Sequence, residues 1–209
     1  MSAIIVGAGT YGHVFLSYLT TAGVEVRGFL DDNPELWGKE IYGLPVYGST
    51  KLIGNTELSV ASVYCPIGAN KTRVEVLSRA EAAGIRTPNF FHAQAHVGPD
   101  VEHGSGVYIL PGAVIMPHVI IEDYVMISAS VNVAHHTRLK KGVFISSQGN
   151  VGASINVGEE AYLGMGCTLV TGKCTRVGAK AVVGAGAVVI ADVEDKTTVA
   201  GVPATAIRK

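Results

Sequence analysis

The sequence predicts two domains of different class: an α/β domain over residues 1–90 and an all-β parallel β-helix over residues 91–209. Two observations carry this prediction. The first is a glycine-rich turn that joins an apolar strand to a helix near the N-terminus. The second is an aliphatic residue that recurs every six positions after residue 90 and continues almost to the C-terminus.

The six-residue repeat is the stronger of the two signals. Steps of six from Val97 to Leu169 give thirteen positions, and twelve are aliphatic, His103 being the exception. Neither a helix nor an alternating strand has this period, whereas each hexapeptide of a β-helix forms one short strand and a corner. Three hexapeptides make one triangular coil, so residues eighteen apart lie above one another. After a two-residue slip in 171–176, the phase resumes at Val177. The glycines expected in the tight corners are Gly152, Gly158, Gly164 and Gly178.

The first half carries the sequence G-x-G-x-x-G from Gly7 to Gly12, directly after the apolar strand AIIV. Asp31 and Asp32 follow the next strand, VRGFL. The glycines let the backbone approach a phosphate at the positive end of a helix that begins near Tyr11, and an acidic side chain can accept hydrogen bonds from a ribose or a base edge. The sequence therefore predicts a nucleotide site.

The remaining elements of this domain limit the size of the nucleotide. We predict a third strand in ASVYCPIG, a second helix capped by Asn70 and a last strand in IRTPNFF. Together they form a half-Rossmann domain, which lacks the second mononucleotide-binding half that a dinucleotide needs. A nucleoside diphosphate, with or without a sugar, fits such a domain better.

Composition excludes several classes of partner. The chain has 16 Lys and Arg against 17 Asp and Glu, and hydrophobic residues make up 48%. This balance favours neither nucleic acid nor an anionic membrane surface, and no segment reaches the roughly 18 apolar residues of a membrane span. The three cysteines lack C-x-x-C spacing, and Cys167 and Cys174 are expected to be structural. We expect a soluble cytoplasmic protein that acts on a small molecule, without membrane insertion and without a metal.

The motifs in this order resemble the bacterial nucleotide-sugar acetyltransferases related to sialic acid O-acetyltransferase. The chain is particularly similar to the subgroup that N-acetylates 4-amino-4,6-dideoxy sugars carried on a nucleotide. The resemblance covers nearly the whole chain, and the segments that carry it are GAGTYG, FLDDN, IGANKTR, VAHH and GVPATAI. It implies a homotrimer of left-handed β-helices, active sites in the clefts between subunits, and acetyl-CoA as the co-substrate.

The resemblance also implies roles for individual residues. Those implied for the sugar nucleotide are Gly9, Thr10 and Tyr11 on the phosphates or sugar, and Asp31, Asp32, Gly68 and Arg73 around the base. Those implied for CoA are Phe144, Met165, Gly184 and Ala185.

His135 corresponds to the family's catalytic base. Histidine suits that task because its ordinary titration range lets it take a proton from a sugar amine near neutral pH. Ala153 lies one coil beyond His135, and its backbone N–H is expected to stabilise the oxyanion. Relatives carry Asp or Glu after the base, where this chain has His136, and often Asn where it has Ser128. His136 could therefore orient His135, contact the substrate, or face a subunit interface together with His118.

Three other functions remain open at this point. The acceptor could be a hydroxyl, as in O-acetylation of a sialic acid-like sugar, because the same base serves both. His118, His135 and His136 could form a zinc site like that of the γ-class carbonic anhydrases, although adjacent histidines on a strand would point to opposite faces. A nicotinamide-binding oxidoreductase or sensor would use the glycine motif alone.

Overall fold

The computed structural model describes residues 2–55, 58 and 60–207. The chain forms two compact units that divide between Pro88 and Asn89. The sequence placed this division two residues later.

The N-terminal unit is a five-stranded sheet with two α-helices in its described residues. The elements are β1 (Ala3–Val6), α1 (Thr10–Thr21), β2 (Val26–Leu30), β3 (Glu40–Ile41), β4 (Leu44–Gly48), β5 (Ser62–Tyr64) and α2 (Asn70–Ala82). The strand order is β3-β4-β2-β1-β5, and neighbouring strands are parallel except for the antiparallel pair β3–β4. Every residue of β1 is buried, and α1 turns Gly12, Phe15 and Leu19 inward at helical spacing. β1 and β2 have the predicted bounds.

Two local predictions for this unit were wrong, and one hairpin was not predicted. The predicted last strand is reduced to an isolated bridge between Arg86 and Ser62, and Phe90 belongs to the C-terminal unit. Asn70 does not cap α2, because it is the first helical residue, and its Oδ1 instead accepts a hydrogen bond from Arg73. The β3–β4 hairpin was missed, since β3 has only two residues and Pro45 within β4 argues against a strand.

The C-terminal unit is a stack of short strands that repeat every six residues. Its strands are β6 (Phe90–Phe91), β7 (His96–Val97), β8 (Glu102–His103), β9 (Tyr108–Ile109), β10 (Val114–Ile115), β11 (Ile120–Ile121), β12 (Met126–Ile127), β13 (Asn132–Val133), β14 (Arg138–Leu139), β15 (Phe144–Ile145), β16 (Asn150–Val151), β17 (Asn156–Val157), β18 (Tyr162–Leu163), β19 (Thr168–Leu169), β20 (Arg176–Val177), β21 (Val182–Val183), β22 (Val188–Val189), β23 (Thr198–Ala200) and β24 (Thr205–Ala206).

From β6 to β22 every third strand pairs in parallel, so the strands form three sheets around one core. At the C-terminal end, β23 pairs in parallel with β21, and β24 is antiparallel to β23. Val133 pairs with Val151 eighteen residues on, as the predicted coil requires, while Val157 pairs with Val177 twenty residues on, which locates the two-residue slip. From β9 to β22 the second residue of each strand is buried, and these aliphatic side chains form a continuous column in the core. The architecture is a triangular β-helix, as the repeat predicts.

The glycines that were expected to occupy the corners between strands lie elsewhere in the structure. A residue with positive φ recurs every six positions, including His118, His136 and Ser154, so the left-handed conformation belongs to the second corner residue whatever its type. Gly152, Gly158, Gly164 and Gly178 instead stand just before the corner. A Cβ added at Gly158 would lie 2.5 Å from the Ala179 nitrogen in the next coil. Glycine therefore lets successive coils approach each other.

Neither helix in the described ranges combines the length and the apolar composition needed to cross a membrane.

Candidate functional site

A cleft in the N-terminal unit lies where β1 meets α1. It has a volume of about 320 Å³ and is lined by the glycine turn, the end of β2 and the segment after β5. The predicted ligand residues that line it are Gly9, Thr10, Tyr11, Asp31 and Gly68. Asp32 and Arg73 do not line it.

The glycines around this cleft serve two different purposes. Gly7 has φ +100°, and a Cβ on Gly12 would overlap the Gly7 carbonyl oxygen, so these two residues allow the turn and its contact with α1. A Cβ added at Gly9 or Gly68 meets nothing within 4 Å. Packing does not explain glycine at those two positions. Their bare backbone leaves room for a ligand in the cleft.

The two aspartates hold neighbouring loops in place. Asp31 Oδ2 accepts a hydrogen bond from the Ala8 N–H at 2.9 Å, which ties the end of β2 to the glycine turn. Asp32 accepts from the Ser49 hydroxyl at 2.7 Å and from the N–H and hydroxyl of Thr50 at 2.9 and 3.0 Å. The Ser49 hydrogen bond is the main reason that the pKa of Asp32 lies below its ordinary value. Asp32 therefore anchors the loop after β4.

Arg73 is fully buried in the first turn of α2. Its Nη1 donates to the Ile67 carbonyl at 2.7 Å, and its Nη2 donates to Asn70 Oδ1 at 2.9 Å. Ile67 and Gly68 both line the cleft. Arg73 thus shapes the cleft by fixing the segment that lines it.

In the C-terminal unit, His135 and His136 form the exposed two-residue corner after β13. Their Nδ1 atoms are 2.9 Å apart, and the two rings are nearly perpendicular, at 88°. The His118 ring lies in the coil below, 5.0 Å from the His136 ring. The expectation that adjacent histidines point to opposite faces was wrong, because the pair lies in a corner and not on a strand.

The coil above this pair contains Ala153, as the eighteen-residue spacing predicts. The Ser154 N–H donates to the His135 carbonyl at 3.0 Å, which fixes the two coils together. The Ala153 N–H donates to Thr171 Oγ1 at 2.9 Å. Sequence reasoning missed Thr171, although it stands eighteen residues after Ala153. We call this corner column the histidine edge: His118, His135, His136, Ala153, Ser154 and Thr171.

The residues expected to bind CoA lie mostly along a different corner column. Met165 and Ala185 occupy equivalent corners in successive coils, where the Gly186 N–H donates to the Met165 carbonyl at 2.8 Å. Met165 is 56% exposed. We call this column the methionine edge: Met165, Gly184 and Ala185. Phe144 lies on β15 in the sheet leading to this edge, nearly buried, with its ring 5.3 Å from that of Tyr162.

In the part of the chain that the structure describes, we find neither a reactive thiol nor a group of side chains that could bind a metal ion. Burial raises the pKa of the Cys65 and Cys167 thiols to about 12 and that of Cys174 to about 11. Such thiols are almost entirely protonated near neutral pH and are poor nucleophiles. Among residues 2–55, 58 and 60–207, no group of three or more His, Cys, Asp or Glu side chains is arranged to hold a metal ion.

Comparison with family models gives a match to each unit. Residues 2–80 match the PglD N-terminal domain, and residues 100–135 match the bacterial transferase hexapeptide of six repeats.

Solved structures match over the whole chain. A variant of perosamine N-acetyltransferase from Caulobacter crescentus, in complex with CoA and GDP-perosamine, is 28% identical, covers 100% of this chain and 98% of its own, and has a TM-score of 0.93. The acetyltransferase domain of PglB from Neisseria gonorrhoeae, in complex with acetyl coenzyme A, is 27% identical with coverages of 99% and 98% and a TM-score of 0.88. WeeI from Acinetobacter baumannii shares the fold at 22% identity, with coverages of 99% and 100% and a TM-score of 0.89.

One curated protein gives a partial match. The redox-sensing transcriptional repressor Rex of Brevibacillus brevis is 29% identical over 102 residues, which cover 46% of this chain and 48% of the repressor. The match thus spans about half the length of each protein.

The two-unit fold and these likenesses define the class of the protein, an acyltransferase built on a left-handed β-helix of hexapeptide repeats. Within that class, the chain is similar to the bacterial nucleotide-sugar acetyltransferases that the sequence motifs resemble.

Proposed function

We propose that the protein transfers the acetyl group of acetyl-CoA to the amino group of a nucleotide-linked 4-amino-4,6-dideoxy sugar. The observation that carries the proposal is the likeness along the entire chain to an N-acetyltransferase in complex with CoA and GDP-perosamine. The open glycine-lined cleft supports a nucleotide in the N-terminal unit. The exposed histidine pair supports proton transfer in the C-terminal unit.

The proposed reaction needs one base and no acyl-enzyme. His135 Nε2 takes a proton as the sugar amine attacks the thioester carbonyl, and a carbon–nitrogen bond forms. The tetrahedral oxyanion then collapses, the carbon–sulfur bond breaks, and the proton passes to the departing thiolate. The products are the sugar acetamide and CoA with a free thiol. The buried cysteines play no part in this scheme.

The oxyanion site of this proposal contains one donor and a backbone N–H that polarises it. The Ala153 N–H was expected to act alone, but it donates to Thr171 Oγ1. A hydroxyl that accepts from this N–H still has its own proton to donate. We therefore include the Thr171 hydroxyl as a donor to the developing charge, with the Ala153 N–H polarising it.

The positions of the two edges support a homotrimer with shared sites. His135 lies in the corner after β13, whereas Met165 and Ala185 lie in the corners after β18 and β21, which belong to another sheet. Within one chain, the base and the proposed CoA-binding residues therefore occupy different edges of the triangular prism. A neighbouring copy would bring the histidine edge of one chain to the methionine edge of another.

The test is a thiol-release assay with acetyl-CoA, nucleotide-linked 4-amino sugars and free sialic acid. We expect turnover with an amino sugar and a decrease of kcat by a factor of about 10² to 10⁴ in His135→Ala, because a positioned base typically contributes that much. The KM for acetyl-CoA should change little. His103→Ala, an exposed histidine elsewhere in the repeat, is the matched control.

Each arm of this assay can contradict one part of the proposal. Near-wild-type kcat in His135→Ala removes His135 as the base. Turnover of sialic acid alone makes the protein an O-acetyltransferase. Thiol release with none of these acceptors overturns the proposed function.

The partial likeness to a redox-sensing repressor favours a second candidate, a nicotinamide-binding sensor in the N-terminal unit. Titration with NADH and with UDP, GDP and dTDP separates the two candidates. Tight NADH binding without a response to any nucleoside diphosphate supports the sensor.

A further inference from the structure

We propose that His136 is a positioning residue that accepts a hydrogen bond from the Nδ1–H of His135. A neutral imidazole at this position would orient the ring of His135, the task of the acidic side chain that follows the base in related sequences. This inference rests on the proposed function, because it assigns His136 a task in the same proton transfer.

The distance between the rings requires opposite roles for the two nitrogens. The Nδ1 atoms are 2.9 Å apart, a hydrogen-bond distance, so one of them donates and the other accepts. His135 needs an unprotonated Nε2 to take the amine proton, which places its own proton on Nδ1. His136 therefore accepts through Nδ1 and carries its proton on Nε2. The proposal thus fixes both tautomers.

The backbone presents His136 without special strain. Its φ is +59°, the value that the second corner residue adopts throughout the helix. Histidine is, with Asn and Asp, among the side chains enriched in this conformation. The same position one coil below holds His118 and one coil above holds Ser154. The chain therefore tolerates several residue types there, which makes substitution of His136 practical.

The surroundings of His136 identify the groups that titrate with it. His135 touches it within the corner, and the His118 ring faces it from the coil below at 5.0 Å. Ala153 and Ser154 occupy the corner of the coil above, and neither of them titrates. The titratable side chains of the histidine edge are therefore three imidazoles, of which His135 and His136 share the hydrogen bond.

A neutral acceptor has a consequence that a carboxylate does not. When His136 gains a proton, its Nδ1 becomes a donor and can no longer accept from His135. A carboxylate would remain an acceptor over the whole range in which imidazoles titrate, about pH 5 to 8. Activity should therefore fall at low pH through two protonations, one on each histidine. The acid limb of log(kcat/KM) against pH should approach a slope of two.

The test compares three variants over this pH range. His136→Asn keeps an acceptor and suits the left-handed corner but cannot titrate, so kcat should stay within about tenfold of wild type and the acid slope should decrease by one. His136→Ala removes the acceptor, so kcat should fall by a factor of about 10² or more. His118→Asn, at the equivalent corner, should leave the slope unchanged. Wild-type kcat and slope in both His136 variants would overturn the inference.

A second readout does not depend on activity or on a variant that folds. Two-bond proton–nitrogen NMR spectra of the wild-type protein report the histidine tautomers. We expect His135 protonated on Nδ1 and His136 protonated on Nε2, and the reverse assignment overturns the inference. If these tautomers are found while no acceptor sugar is acetylated, the dyad stands and the proposed function falls.

Discussion

Thr171 shows, at the scale of one residue, how a side chain alters a site that backbone spacing alone would describe. The stacking of coils correctly places Ala153 above His135, but it does not reveal that the Ala153 N–H already has an acceptor. That acceptor is a hydroxyl 2.9 Å away. The proposed oxyanion site therefore includes a side chain and not only the backbone.

We expect Thr171→Val to decrease kcat by a factor of about 10 to 10³, because one oxyanion donor typically contributes in this range. Valine keeps the shape of threonine and removes the hydroxyl. The KM for acetyl-CoA should change little, and Thr171→Ser, which keeps the hydroxyl, should retain most of the activity. Steady-state kinetics of the three proteins provide the measurement. An unchanged or higher kcat in Thr171→Val would show that the Ala153 N–H acts alone.

Two other residues of the predicted site, Asp32 and Arg73, show what a motif leaves open. Asp32 and Arg73 belong to motifs that the sequence shows clearly, yet both use their polar atoms on neighbouring loops. A motif indicates which residues matter together, and it does not separate direct contact from support. His135 and His136 illustrate the same limit, since only coordinates reveal the 2.9 Å approach of their Nδ1 atoms.

At the scale of elements, the hexapeptide repeat predicted the β-helix almost completely. Its period fixes the sheets, the inward residues and the slip, because each coil repeats the same environment. The N-terminal unit was predicted less completely. The strand β1 stands out as a buried apolar run and β2 ends in three buried residues, but β3 has only two residues and carries no period that a sequence could show.

Close approach of coils leads to a prediction for Gly158. A Cβ at this position would lie 2.5 to 2.8 Å from backbone atoms of Gly178 and Ala179, and backbone cannot move aside easily. We expect Gly158→Ala to lower the free energy of unfolding by about 1 to 3 kcal/mol, the usual cost of overpacking. Chemical denaturation measures this change.

Lys140→Ala is the matched control for Gly158→Ala. Lys140 stands at the same position of its hexapeptide one coil earlier, where a side chain is already accommodated. This variant should leave the free energy of unfolding within about 0.5 kcal/mol of wild type. Equal stability of Gly158→Ala and wild type would show that the coils can separate without cost.

At the scale of the whole molecule, the two edges predict complementation between inactive variants. His135→Ala removes the base, and Ala185→Trp fills the methionine edge. Each protein alone should be nearly inactive. Co-expressed chains that assemble at random into trimers should regain up to about one quarter of wild-type activity, since that share of interfaces pairs two intact edges.

The mass of the assembly provides the accompanying measurement. Light scattering should give three times the 21.7 kDa of one chain for wild type and for both variants. A trimer that shows no regained activity would place base and CoA on the same chain. A monomer would remove the shared site altogether.

The turn at 171–173 accommodates two extra residues while the strands on both sides keep their partners. It rises directly above Ala153 on the histidine edge. Because Thr171 in this turn contacts the Ala153 N–H, we expect a change in the length of the turn to alter the histidine edge while the paired strands on both sides stay in register.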